Sequence, residues 1–181
     1  MQYNTTIELK DGRACVLRHG TPSDAAGVMA TLKKVREETD FLLSYEEGGL
    51  TLDGERDLLA RQEASPSALQ LCAVVDGNIV GTAGVSAIGS NEKIKHRAEL
   101  GVSVEQAYWN LGIGRALAEA CIEAAKHAGY RQLELEVVAD NVRAVALYEK
   151  LGFETHGRNP RGFYSQQAGW QELVSMGLTW D

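Results

Sequence analysis

Two short segments of this chain hold residue types that could do chemistry together. The first is Trp109-Asn-Leu-Gly112-Ile-Gly114-Arg115, where two glycines open onto an apolar-periodic stretch, Gly112–His127. A helix starting there gathers unpaired backbone N–H groups at its positive end, which suits a phosphate-bearing ligand. The second is Asn141–Phe153, with Asn141 at a helix start and Tyr148 two turns further on, on the same face. A phenol titrates near pH 10 and a free thiol near about 8.5, so such a tyrosine could hand a proton to a leaving thiolate in a nearly balanced step. Each residue also has a plain reading. Tyr148 shares a stripe with residues 144, 145 and 151 and could be a core tyrosine, Asn141 a helix cap, and Arg115 a surface arginine.

Two familiar phosphate motifs do not fit. The dinucleotide fingerprint needs a small third residue, and position 117 is Leu; it also puts its glycines directly after a strand, whereas Glu105–Leu111 intervenes here. No Gly-Lys-Ser/Thr follows, so a P-loop is excluded.

Taken together, the segments resemble the GNAT acetyltransferase superfamily. Its Q/R-x-x-G-x-G/A loop is matched by Trp109-Asn-Leu-Gly112-Ile-Gly114, with Trp109 for the usual Gln or Arg and Asn110 where Gly is often found. Its N-x-x-A-x-x-L-Y-x-K-x-G-F hallmark is matched at Asn141, Ala144, Leu147, Tyr148, Lys150, Gly152 and Phe153. The close resemblance spans His96–Phe153, and Leu17-Arg18 followed by Thr21-Pro22-Ser23-Asp24-Ala25 is similar to the family's opening.

The resemblance implies acetyl-CoA as co-substrate and a primary amine, on a small molecule or a peptide, attacking the thioester directly in a ternary complex. It places the CoA pyrophosphate on the backbone N–H groups of Leu111, Gly112, Ile113, Gly114 and Arg115. Pantetheine is expected along Val102, Ser103 and Val104, where a β-bulge would free the Val104 N–H to polarise the thioester carbonyl. Asn141 and Ala144 are expected to touch cofactor, Tyr148 to be the general acid, and Glu99 is the candidate base beside the family's alternative of a water chain. Phe41, Glu37–Asp40 and Tyr164 fall in segments that line acceptor sites in the family. An acyl-CoA-binding sensor without turnover, or a transferase with another donor or acceptor, stays open.

The elements that must hold these residues are legible from periodicity. Thr5–Leu9 and Arg13–Arg18 read as strands around an Asp11-Gly12 turn, and Thr21-Pro22-Ser23-Asp24 starts a helix running to Glu38. A loop from Phe41 to Asp53, containing Gly48-Gly49, leads to a helix over Gly54–Ala64. Leu69–Val75 and Ile79–Ala87 form a hairpin about Asp76-Gly77-Asn78, and His96–Val104 is a third strand. After the helix Gly112–His127, stopped by Gly129, come a strand Gln132–Val138, a helix Asn141–Gly152, and strands Phe153–Tyr164 and Gln171–Thr179. This order gives a mixed α/β, α+β-like class with a partly antiparallel sheet, and the resemblance implies a GNAT-type fold: a central, mostly antiparallel mixed sheet flanked by about four helices, in a single domain over 1–181.

Composition narrows the rest. The chain has 181 residues, 44% apolar and 24% charged, with a net charge of −7 and no basic stripe, so no nucleic-acid partner is expected. No apolar stretch is long enough to cross a bilayer and the N-terminus lacks a signal-peptide pattern, so a cytoplasmic protein with no membrane partner is expected. Cys15, Cys72 and Cys121 have no CxxC spacing, and His19, His96, His127 and His156 form no HxxxH or HExxH pattern, so no metal is expected. The last strand, flanked by Trp170 and Trp180, could pair across a homodimer.

Overall fold

The computed structural model describes residues 2–42 and 51–181; the expected Gly48-Gly49 loop lies outside them. Eight strands form one sheet: β1 (Asn4–Glu8), β2 (Ala14–His19), β3 (Leu69–Val75), β4 (Asn78–Ala87), β5 (Arg97–Val104), β6 (Gln132–Val138), β7 (Glu154–Ser165) and β8 (Gly169–Thr179). Their spatial order is β1-β2-β3-β4-β5-β6-β8-β7, antiparallel throughout except where β5 meets β6. The helices are α1 (Ala25–Glu38), α2 (Leu52–Ala64), α3 (Ile113–His127) and α4 (Val142–Lys150). This is the expected mixed, mostly antiparallel arrangement, with four α-helices among the described residues.

Alternation along the strands sends the two faces to different helices. Leu71, Ala73 and Val75 join α3 residues such as Leu117 and Cys121 in the main core, which also takes Tyr148 and Phe153. Cys72, with Val74 and Ile79 packed around it, joins Ala25 and Val28 of α1 and Leu59 of α2 on the other face. The α1 contact is close: a Cβ at Gly27 would stand 2.9 Å from the Ile79 Cδ1. The start of α1 is tied to β2 by the fork of Arg18, whose two Nη atoms donate to the Asp24 carboxylate at 2.7 Å each. The same carboxylate accepts from the Thr21 backbone N–H and hydroxyl, both at 2.8 Å.

Two features decide where a ligand can go. β5 and β6 pair only over Arg97–Glu99 against Gln132–Glu134 and then part. The paired end is held by Arg97, which donates from Nε and Nη2 to the Glu134 carboxylate. At the other end of β5, the next residue, Glu105, is buried and meets the Lys34 ammonium of α1 at 2.5 Å.

Two expectations need correction. β8 lies between β6 and β7, with both of its edges paired, so it offers no free edge to a second copy; β7 is the edge strand at that end of the sheet. The bulge expected near Val104 is absent, because β4 and β5 stay in register from Gly81↔Val104 to Ala87↔Ala98. The irregularity sits one strand away, where β3 skips Val80 of β4. No helix among the described residues is long and apolar enough to cross a membrane.

Candidate functional site

The parted strands open into a cavity of about 410 Å³. Its lining brings together Val102, Ser103, Glu99, Asn141, Ala144 and Tyr148 from the sequence-derived set. Phe41 lines it as well, while Tyr164 does not; that ring is 60% exposed and packs edge-on against Trp170 at 5.0 Å.

The edge of β5 that faces the gap carries usable backbone groups. The Glu105 N–H donates to the Val80 carbonyl in β4 at 3.0 Å. Amides alternate sides along a strand, so those of Ser103 and Gly101 also point to β4, and those of Val102 and Val104 point into the gap. The free N–H that the bulge was expected to supply therefore comes from the separation of the strands. The Val104 carbonyl is already used, accepting from the Trp109 Nε1 at 2.7 Å.

The glycine loop follows directly. Asn110 has φ 63° and Gly112 φ 104°. Both are left-handed, a conformation that asparagine tolerates and glycine adopts freely, which explains an Asn at 110. No side chain caps α3, and its first internal bond runs from the Ala116 N–H to the Gly112 carbonyl at 3.0 Å. The N–H groups of Ile113, Gly114 and Arg115 precede that ladder, an arrangement suited to an anion. A Cβ at Gly114 would meet only ordinary contacts, 3.7 Å to Leu147 and 3.8 Å to Val104, so a small residue would fit there too. Arg115 is not a free charge; its Nε donates to Glu119 at 2.8 Å. The Leu111 carbonyl accepts from the Lys10 N–H at 3.3 Å, which ties the loop to the β1–β2 turn. An uncapped helix start and an unpaired strand edge together fit a ligand with a diphosphate at one end and amides along its length.

Tyr148 stands on the inner face of α4, 7% exposed, with its ring edge-on to Phe153 at 5.6 Å. Burial, with the Cys121 thiol as a lesser cause, pushes its phenol up to about 12. The nearly balanced transfer expected from sequence is thus shifted: moving the proton outright to a thiol of about 8.5 would be uphill by about 5 kcal/mol. At any physiological pH the phenol is therefore protonated, a hydrogen-bond donor. Asn141 caps α4, its Oδ1 accepting from the Ala144 N–H at 3.3 Å, and the residue also lines the cavity.

The carboxylates sort by partner. Glu134 is neutralised by Arg97, which holds its carboxyl below the usual range. Glu99, exposed and on the same sheet face, lines the cavity without an ion pair among the described residues, and so does Glu136, which sequence reasoning missed. Glu136 accepts from the Ser175 hydroxyl at 3.3 Å. Of the acidic stretch 37–40, Glu38 accepts from the Gln106 N–H at 2.6 Å and Glu37 meets Lys33 at 3.8 Å, so both have structural partners. Asp40 keeps a buried carboxylate oxygen without a hydrogen bond among the described residues.

Comparison with known proteins adds lineage to this geometry. A sequence profile described as the Acetyltransferase (GNAT) family matches residues 35–153. The L-amino acid N-acetyltransferase AaaT of Escherichia coli K12 is 32% identical over 93 residues, 51% of this chain and 57% of that protein. The [Ribosomal protein bS18]-alanine N-acetyltransferase of the same organism is 38% identical over 77 residues, 42% of this chain and 51% of that protein. The matches thus span little more than half the length of these curated relatives. Among solved structures, an acetyltransferase of the GNAT family from Streptococcus pneumoniae superposes with a TM-score of 0.85 at 32% identity, covering 92% of this chain and 99% of that one.

Proposed function

Because the chain belongs to the acetyltransferase (GNAT) family, we propose that it transfers an acetyl group from acetyl-CoA to a primary amine by direct attack. The observation that carries this reading is the parting of β5 and β6 between an uncapped helix start and a buried phenol. Acetyl-CoA supplies the activated acyl group as a thioester. The N–H groups of residues 111–115 hold the diphosphate, and the gap-facing amides of Val102 and Val104 hold the pantetheine arm as a further strand would. The Val104 N–H is placed to polarise the acyl oxygen where it gains negative charge. Tyr148 donates to the departing sulfur.

Direct attack also agrees with the cysteines. All three are buried and free. Burial pushes Cys72 and Cys121 up to about 12 and raises Cys15, so no reactive thiolate is present to carry the acyl group.

The amine must lose its proton before it attacks, and a lysine-like amine titrates near about 10.4. Glu99 and Glu136 are the carboxylates positioned to accept it, directly or through water. No Lys, Arg or His is among the described residues that line the cavity. Such a lining favours an acceptor with no carboxylate beside its amine, a peptide N-terminus or a polyamine, over a free amino acid.

The test is thiol release from acetyl-CoA against peptides, polyamines, aminoglycosides and free amino acids. Release with an amine lacking a neighbouring carboxylate is expected. Turnover with free amino acids alone would refute the acceptor class. Saturable acetyl-CoA binding with no product for any acceptor would refute the transferase and leave an acyl-CoA sensor.

A further inference from the structure

The phosphate cradle lacks a free side-chain cation of its own, since Arg115 is committed to Glu119. The neighbouring helix provides one. The Arg143 guanidinium carbon lies 4.0 Å from the centre of the Trp109 ring. Trp109 is itself fixed by its hydrogen bond to the Val104 carbonyl. Residues 143 and 147 share a stripe of α4, one turn apart. Leu147 already stands 3.7 Å from where a Cβ at Gly114 would be, so this stripe faces the start of α3. Arg143, one turn nearer the helix start, therefore stands over the glycine loop.

Arg143 is exposed apart from this contact with the ring. Its N–H donors have no hydrogen-bond or ion-pair partner among the described residues. A guanidinium seated on a ring with its donors unpaired is suited to two oxygens of a phosphate group. The chain as a whole is acidic, with a net charge of −7, so a polyphosphate ligand needs a local cation against that field.

We propose that Arg143, seated on Trp109, binds a phosphate group of CoA and supplies the side-chain charge that the glycine loop lacks. The inference rests on the acetyl-CoA reading above. Trp109 acts through Arg143 and is a positioning residue.

Calorimetric titration tests it, with CoA, 3′-dephospho-CoA and pantetheine as probes, on the wild type and on Arg143→Ala, Arg143→Lys and Trp109→Leu. Arg143→Ala is expected to weaken CoA binding about 10- to 100-fold, the range for losing hydrogen bonds to a charged group. Pantetheine binding should not change. The same loss on 3′-dephospho-CoA assigns the contact to the diphosphate; a loss that vanishes there assigns it to the 3′-phosphate. Arg143→Lys should bind CoA between wild type and Arg143→Ala, because it keeps the charge but not the fork. Trp109→Leu should weaken CoA binding in the wild-type background and have little effect once Arg143 is Ala. An equal loss for pantetheine would mean that Arg143 only supports the fold, and unchanged CoA affinity in Arg143→Ala would refute the contact. A wild-type chain that binds no CoA would overturn this inference together with the reading beneath it.

Discussion

Tyr148 is the residue whose chemistry can be separated most cleanly from its packing. Tyr148→Phe keeps the ring that meets Phe153 edge-on and removes only the hydroxyl. Its expected effect is a fall in kcat of about 10- to 100-fold, the scale of one charge-assisted hydrogen bond, with acetyl-CoA affinity nearly constant. Because burial holds the phenol at about 12, it stays protonated throughout the working range. No alkaline fall in kcat between pH 7 and 10 should therefore trace to it; such a fall in the wild type that disappears in Tyr148→Phe would contradict the assignment. The carboxylates were only half legible. Glu134 and Glu136 occupy the same face of an alternating strand and look equivalent in sequence. They differ because β5 covers one and has parted from β6 at the other, and because Arg97 reaches only Glu134. That is a tertiary difference, and nothing in strand periodicity encodes it. Glu99→Gln and Glu136→Gln should divide the acid limb of the kcat/KM profile, the true base being the one whose loss flattens it.

At the scale of elements, boundaries followed local chemistry. The Asp76-Gly77 turn has φ of 49° and 78°, the double left-handed pair that closes a two-residue hairpin, and Gly129 at φ 85° ends α3 as its position predicts. The bulge was misplaced because what sequence could suggest was a need for a free N–H, and parted strands meet that need without one. The entry to α1 carries a testable share of stability. Arg18 and the Thr21 donors hold the Asp24 carboxyl at about 2, below its ordinary 3.8. A depressed carboxylate contributes above its unfolded value and loses that contribution as pH falls through its folded value. The side chain is 10% exposed and Arg18 31%, so the shift corresponds to about 2 kcal/mol, an upper figure given solvent screening at the arginine. Wild type should thus exceed Asp24→Asn by up to about 2 kcal/mol at pH 5. The gap should shrink below pH 4 and close near pH 2. Urea midpoints at pH 5, 4, 3 and 2 read this directly; a gap that persists unchanged at pH 2 would show that the carboxylate's charge is not the source.

Across the whole molecule, the sheet is two blocks, β1–β5 and β6-β8-β7, joined by the short β5–β6 pairing and by α3 beneath it. The order of elements was readable from the alternation of strand and helix periods, but the depth of the β5–β6 pairing was not, since it depends on how far two twisted strands diverge. A ligand laid in the gap links the blocks. Acetyl-CoA at about 100 times its Kd should add about 2.7 kcal/mol of apparent stability, a Tm rise of roughly 5–10 °C for a chain of this size. Amide hydrogen exchange can localise the effect residue by residue. Ser103 and Glu105 already donate to β4, so their protection should change little on binding. Val102 and Val104 face the gap, and their exchange should slow markedly when acetyl-CoA is present. This alternation is particular to an extended ligand hydrogen-bonded along the β5 edge. A general tightening of the fold would slow all four amides, and slowing confined to residues 111–115 would mean that the diphosphate is held while the pantetheine arm lies elsewhere.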